Sequence, residues 1–149
     1  YNYMAPMFVD TPEDRETIMR LRHIEAVRQL ARKASVAVIG LGEVSAECTF
    51  ARSGVITAAE VDELMRAGAV ADILGNFIDL NGQLVDVDLN RRVVGATLED
   101  LAAIENVFVV AGGLRKAQAI SAALRSGCVD YIITDAETAE QVLQLNRAL

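Results

Sequence analysis

The sequence predicts an α/β fold, a parallel sheet with helices on its faces in a three-layer α/β/α arrangement. Three observations predict it. Short β-branched runs alternate with helical patterns along the chain. Three of those runs, at residues 35–40, 106–111 and 129–135, end in a glycine or acidic loop before the next pattern begins. The core must come from Ala, Val, Ile and Leu, because Trp is absent and aromatics are 5% of a chain that is 52% hydrophobic. Strands buried on both faces have that composition. Right-handed crossovers would join the parallel strands.

Each element has its own signal. "DTPEDRETIMRLRHIEAVRQLARKA" offers Thr11 as N-cap, Pro12 at the first helical position and acids in the first turn. Ile18, Leu21, Ile24, Ala26, Val27 and Leu30 then recur at helical spacing, predicting one long helix over about 12–33. "SVAVIG" reads as a strand ended by glycine, and "LGEVSAECTFARSG" as a loop with a helical turn. Thr57 and Glu60 form a capping box opening a helix over 58–67 that stops at Gly68. "VADILGNFIDLNGQLVDVD" reads as a hairpin or extended excursion turning at Asn81-Gly82, an antiparallel insertion in the parallel plan. "RVVGA" is a short strand or loop, and "TLEDLAAI" a short capped helix. "NVFVVA" is a buried strand, followed by a helix in "LRKAQAISAALRSG" that closes at Gly127. "VDYIITD" is the last strand, and Asp135 caps the terminal helix "AETAEQVLQLNRAL". No repeat, low-complexity tract or linker interrupts this order, so residues 1–149 are expected to form one domain.

Composition narrows the function. A formal charge of -7 makes the chain a poor nucleic-acid binder by itself, because duplex binding depends on Lys and Arg meeting phosphates. Two cysteines, Cys48 and Cys128, and one histidine, His23, provide neither a disulfide framework nor a zinc set, and no cofactor is expected. No run is long enough to span a membrane, and the opening residues lack a signal-peptide pattern, so a cytoplasmic location is expected. Gly40 and Gly42 lack the third glycine of a dinucleotide fingerprint, since Ser45 stands there. Cys48 has no partnering histidine, "GEVSAE" is not a nucleophile elbow, and Arg91-Arg92 reads as a surface pair.

Chemistry is expected where loops leave the carboxyl ends of parallel strands. Three loops do so: Gly40 to Glu43, Ala111 to Lys116, and Thr134 to Glu137. Gly40, Gly42, Gly112 and Gly113 let backbone N–H groups approach an anion. Lys116 would add a full charge in a first helical turn, where a cation opposes the helix dipole. It is either a ligand lysine or a solvated one after a tight turn. Asp79 and Asn81 could bond sugar hydroxyls, or simply form an Asx-turn.

The order "VAVIGLG", "GAVADILGNFIDLNG", "VVAGGLRKAQAISAALRSGCVDYIITDAETAEQVL" closely resembles the C-terminal effector domain of the SorC family of bacterial sugar-responsive transcriptional regulators. The likeness runs from about Ala5 to the C-terminus, and its last stretch is the most specific. It implies a Rossmann-like fold similar to sugar-phosphate isomerases and glucosamine-6-phosphate deaminase. It implies ligand contacts at Lys116 and Asp79, with the Gly40–Glu43 loop beside them, and less securely at Asn81 and Glu43. It also implies a sugar or sugar-phosphate effector, a dimer or tetramer of identical chains, and DNA contacts made only through a domain outside this sequence. The family's DNA-binding domain and first phosphate loop have no counterpart in these residues, so the chain is expected to be a partial effector domain.

Three functions compete on this reading. The first is a non-enzymatic ligand sensor, the second an isomerase- or deaminase-like enzyme with Asp79 as base. The third is a self-association module whose pocket is vestigial.

Overall fold

Capping residues set most of the helix starts. The computed structural model describes residues 2–147. Thr11 accepts the Asp14 N–H and starts α1 (Pro12–Met19). The chain then breaks at Arg20 and Leu21, where Leu21 is extended, and resumes as α2 (Arg22–Ala31). The predicted single helix over 12–33 is therefore two. No Pro or Gly marks the break; burial does, since α1 buries nothing and α2 buries Ile24 and Val27.

β1 (Val36–Gly40) follows, and then the chain pairs again at once as β2 (Gly42–Glu43), where a loop was expected. α3 (Thr49–Arg52) is the helical turn of that stretch. α4 (Ala58–Arg66) opens with the Thr57–Glu60 capping box, and α6 (Leu98–Ala102) opens with a second one, Thr97–Asp100. Between them lie β3 (Ala71–Ile73), β4 (Asn76–Ile78) and the short α5 (Asp88–Arg91).

The hairpin turns seven residues earlier than Asn81-Gly82. Ile73 pairs with Asn76, so Leu74 and Gly75 are the two-residue turn, at φ 53° and 85°. Positive φ at both central residues is the geometry that matches strand twist. A leucine in the first position hides it from a search for Asn-Gly or Asp-Gly. Gly82, at φ 78°, makes a further turn leading to an isolated bridge between Ile78 and Leu84. "RVVGA" likewise contributes one bridge, Val93 to Phe8.

β5 (Asn106–Val110), α7 (Ala117–Arg125), β6 (Tyr131–Ile133) and α8 (Ala136–Arg147) complete the chain. A 3-10 turn over Leu114–Lys116 precedes α7, so Lys116 stands at its N-cap and not within its first turn. Asp135 accepts the Thr138 N–H at 2.8 Å at the head of α8, as its position predicts.

The strands form two sheets. One is parallel, in the order β1-β5-β6; the other is antiparallel, in the order β2-β3-β4. The α/β alternation thus gives the parallel sheet it predicts, with the insertion forming a sheet of its own. Ala37, Ile39, Val107, Val109 and Ile132 on one face of the parallel sheet meet α7, α8 and β3 in a single cluster. Ala117, Ala119, Ala122 and Ala123 keep α7 thin enough for close approach, and Ile120 is fully buried. A second cluster joins Val61 and Leu64 of α4 to Phe77 of β4, with the Phe8 and Phe50 rings 6.2 and 6.3 Å from Phe77. Each such buried side chain is worth about 1.5–3 kcal/mol. Asn90 closes the free edge of β4, accepting the Phe77 N–H and donating to its carbonyl at 2.8 and 2.9 Å. No helix among the described residues is long and apolar enough to cross a membrane.

Candidate functional site

β1 delivers Gly40 and Leu41 to the carboxyl end of the parallel sheet, and β2 carries Gly42 and Glu43 away from it. β5 delivers the glycine corner and the 3-10 turn that ends on Lys116. The two loops meet directly, since Lys116 Nζ donates to the Leu41 carbonyl at 3.0 Å. An ammonium carries three donors, so this bond fixes the lysine and leaves donors for a ligand. A cleft of about 490 Å³ opens here, lined by Gly40, Leu41, Gly42, Glu43, Asp72 and Lys116, with Arg52 and Arg115 also on its wall.

Asp72 lies opposite Gly42 in the β2–β3 ladder. Its carboxylate overhangs the glycine: a Cβ at residue 42 would stand 2.6 Å from Asp72 Oδ2. Glycine at 42 is therefore required by a close approach. Burial pushes the Asp72 carboxyl up to about 6, against the opposing pull of the Gly75 N–H and the Lys116 charge. The Gly75 N–H donates to Oδ1 at 2.5 Å. Glu43 receives Arg115 on Oε1 at 3.2 Å, while its other oxygen, Oε2, is buried with no hydrogen-bond partner. Arg115 also reaches Glu47 at 3.6 Å, and most of its side chain remains exposed. The cleft therefore carries a fixed lysine, a recessed carboxyl, a half-satisfied glutamate and an exposed guanidinium. Such a set can grip hydroxyls and an anionic group together.

Gly112 and Gly113 flank this cleft, and the Gly113 amide is committed elsewhere. The Gly113 N–H donates to Asp135 Oδ2 at 2.8 Å and to Thr138 Oγ1 at 2.9 Å. A Cβ at residue 112 would meet Asp135 Oδ2 at 2.9 Å. The Thr138 and Gly113 amides hold the Asp135 carboxyl down at about 2. The glycine corner is thus pinned by a protein carboxylate on the head of α8, where an anion cradle was expected.

Asp79 and Asn81 stand apart from Lys116. Their loop docks on the far end of α7: Arg125 donates to the Leu80 carbonyl at 2.9 Å, and Gly82 abuts Ser126 so tightly that a Cβ there would lie 2.3 Å from its N. Nine residues of helix, about 13 Å, separate that end from Lys116. Asp79 Oδ1 accepts the Asn81 and Gln83 N–H groups, each at 2.9 Å, and those bonds lower its pKa, that from Gln83 most. This is the Asx-turn alternative. Of the residues named from sequence, the structure brings Gly40, Gly42, Glu43 and Lys116 into one cleft. It sets Gly112 and Gly113 on its flank and leaves Asp79 and Asn81 outside.

Sequence reasoning misses Asp72 and Arg115. Arg115 sits next to Lys116 and has no separate sequence signal. Asp72 has one: a lone carboxylate between Ala71 and Ile73, both fully buried, in an otherwise apolar strand.

Comparison with known proteins agrees with the sequence order. A family model, Sugar-bind, described as "Putative sugar-binding domain", matches residues 1–144. The chain is 35% identical over 143 residues to the erythritol catabolism regulatory protein EryD of Brucella abortus, covering 96% of this chain and 45% of the relative. It is 38% identical over 144 residues to the transcriptional regulator LsrR of Klebsiella pneumoniae, covering 95% and 45%. The chain thus spans about half the length of the curated relatives it matches. Among solved structures, a DeoR family transcriptional regulator from Listeria monocytogenes superposes with a TM-score of 0.90 at 27% identity, covering 95% of this chain and 57% of that one. A domain of the same sugar-binding description, from a transcriptional repressor of Vibrio fischeri, superposes at 0.88 with 33% identity, covering 98% and 58%.

Proposed function

Since the chain belongs to the sugar-binding domain family found in SorC- and DeoR-type transcriptional regulators, we propose that it is the ligand-sensing part of such a regulator. Residues 1–149 act as one partial effector domain. The cleft at the carboxyl end of β1 takes a sugar or sugar phosphate: Lys116 and Arg115 meet its anionic or hydroxyl oxygens, and Asp72 orients its hydroxyls. The observation that carries this reading is the bond from Lys116 to the Leu41 carbonyl beside Asp72, which builds a charged, recessed cleft from two loops and strand β3. EryD is named for erythritol catabolism, and a further relative, 30% identical, is a deoxyribonucleoside regulator of Bacillus subtilis. Small polyhydroxylated ligands fit that pattern.

The protein acts without turnover, in the cytoplasm, as a dimer or tetramer, and reaches DNA through a domain outside these residues. Ligand shifts the balance between assembly states only by its differential affinity for them. Titration calorimetry with a panel of sugars and sugar phosphates tests this. Binding by at least one, lost in Lys116→Ala, is the expected result; no binding by any overturns it.

One observation favours an enzyme instead: a carboxyl raised to about 6 next to a lysine suits proton abstraction beside a carbonyl. Interconversion of aldose and ketose phosphates, abolished by Asp72→Asn, would establish that reading.

A further inference from the structure

Leu74 is held in a backbone conformation that leucine avoids. Its φ is 53°, in the left-handed region, where Cβ crowds the following carbonyl oxygen. The turn type asks for Asn, Asp or Gly at that place, and the chain itself has Asn-Gly at residues 81 and 82. Among the described residues one other side chain, Met4, has a positive φ, and it is exposed.

The surroundings clamp this turn. Asp72 Oδ1 accepts the Gly75 N–H at 2.5 Å. The buried Asn76 amide donates to the Ile73 carbonyl at 2.9 Å and to the Ala96 carbonyl at 3.0 Å. Gly75 fits so closely that a Cβ there would lie 2.7 Å from Val93 Cγ2, with Phe8 and Met7 next to it. Strain that the neighbours hold in place collects at functional sites.

Leu74 also stands at the cleft. It packs against the core cluster of the parallel sheet and lines the cavity that Asp72 and Lys116 share. Met7, Cys48 and Phe50 line the same cavity. Met7 borders the turn at Gly75, and the Phe50 ring meets the Phe8 ring, which borders it too, at 5.4 Å. The cleft therefore has an apolar wall beside its charged groups, and such a wall selects among ligands by where they carry hydroxyls. A hydroxyl pressed against Leu74 would give up water and gain no partner, whereas a hydrogen or methyl would lose nothing.

We propose that Leu74 is a specificity-determining residue, and that the cleft takes a deoxy or methyl-bearing sugar or sugar phosphate. A carbon without a hydroxyl seats against Leu74, and the hydroxyl on the adjoining carbon bonds Asp72. Leu74 has this role only if the cleft is the ligand site proposed above, and it narrows the class of that ligand.

Calorimetry on the full chain with two matched pairs tests this: 2-deoxyribose 5-phosphate against ribose 5-phosphate, and 2-deoxyglucose 6-phosphate against glucose 6-phosphate. In at least one pair the deoxy member should bind about tenfold more tightly. Leu74→Asn suits the positive φ and sets a donor and an acceptor in place of the methyl groups. It should erase or reverse the preference while binding still depends on Lys116. Leu74→Gly, equally suited to positive φ, removes the apolar wall and should flatten the preference even where Leu74→Asn does not fold. Equal or tighter binding of the hydroxylated member in both pairs overturns the inference, as does a preference that both variants leave intact. In either case, binding that is lost in Lys116→Ala leaves the cleft standing as the ligand site. No binding by any of the four overturns the inference together with the reading of the cleft as a sugar-phosphate site.

Discussion

At either end of helix α7 a carboxylate sits beside a turn, and the two are held in opposite ways. Asp79, at the C-terminal end, is exposed and satisfied by its own loop, with two backbone N–H groups on one oxygen. Asp72, at the N-terminal end, is recessed in the β2–β3 ladder, with one backbone donor and a lysine nearby. Their pKa values move apart, Asp79 down and Asp72 up. The lesson is that a carboxylate whose turn already satisfies it shapes the loop. A carboxylate buried short of donors keeps capacity for a ligand.

The largest break in this contrast should come from Lys116→Ala, which removes a charge-assisted bond from the cleft. Affinity for a phosphorylated sugar should fall about 100-fold by calorimetry, with little change in Tm.

Asp72→Asn should come next, through pH. The folded carboxyl titrates at about 6 and its ordinary value is 3.8, so the folded state holds the extra proton between them. Stability from this group is therefore greatest below about pH 4 and declines as pH rises through 6. Discounted for partial solvent screening, the cost above pH 6 is about 2 kcal/mol. The uncharged amide of Asp72→Asn should remove that decline, visible as a Tm difference from wild type that grows from pH 4 to pH 7, while weakening ligand binding.

Gly42→Ala should be milder. Its Cβ meets Asp72 Oδ2, so the carboxylate must shift, at about 1–2 kcal/mol in urea unfolding and with weaker ligand binding. The smallest effect sharpens the comparison most: Asp79→Ala should cost about 1 kcal/mol of stability through the lost turn bonds and leave affinity unchanged.

Much of this is legible in the residues. Thr11, Thr57 and Asp135 announce their helices through local chemistry alone, and the strand–glycine–helix order announces the parallel sheet and Lys116. What is not legible depends on distant partners. The Leu74-Gly75 turn carries no Asn or Asp to mark it, and its positive φ values follow from strand pairing. The break at Arg20 and Leu21 follows from what α2 buries. Gly113 reads as free for an anion because its partner, Asp135, lies 22 residues on. Asp79 stands out over Asp72 because its loop is polar, whereas Asp72 gains its place only when β3 pairs with β2.

The ligand is placed at the Lys116–Asp72 end of α7, and one paired titration tests that placement most directly. A phosphorylated sugar bound by the wild-type chain is titrated into Asp72→Asn and Asp79→Asn under identical conditions. The account predicts weakened binding to the first and wild-type binding to the second. Wild-type affinity in Asp72→Asn with loss in Asp79→Asn would contradict it.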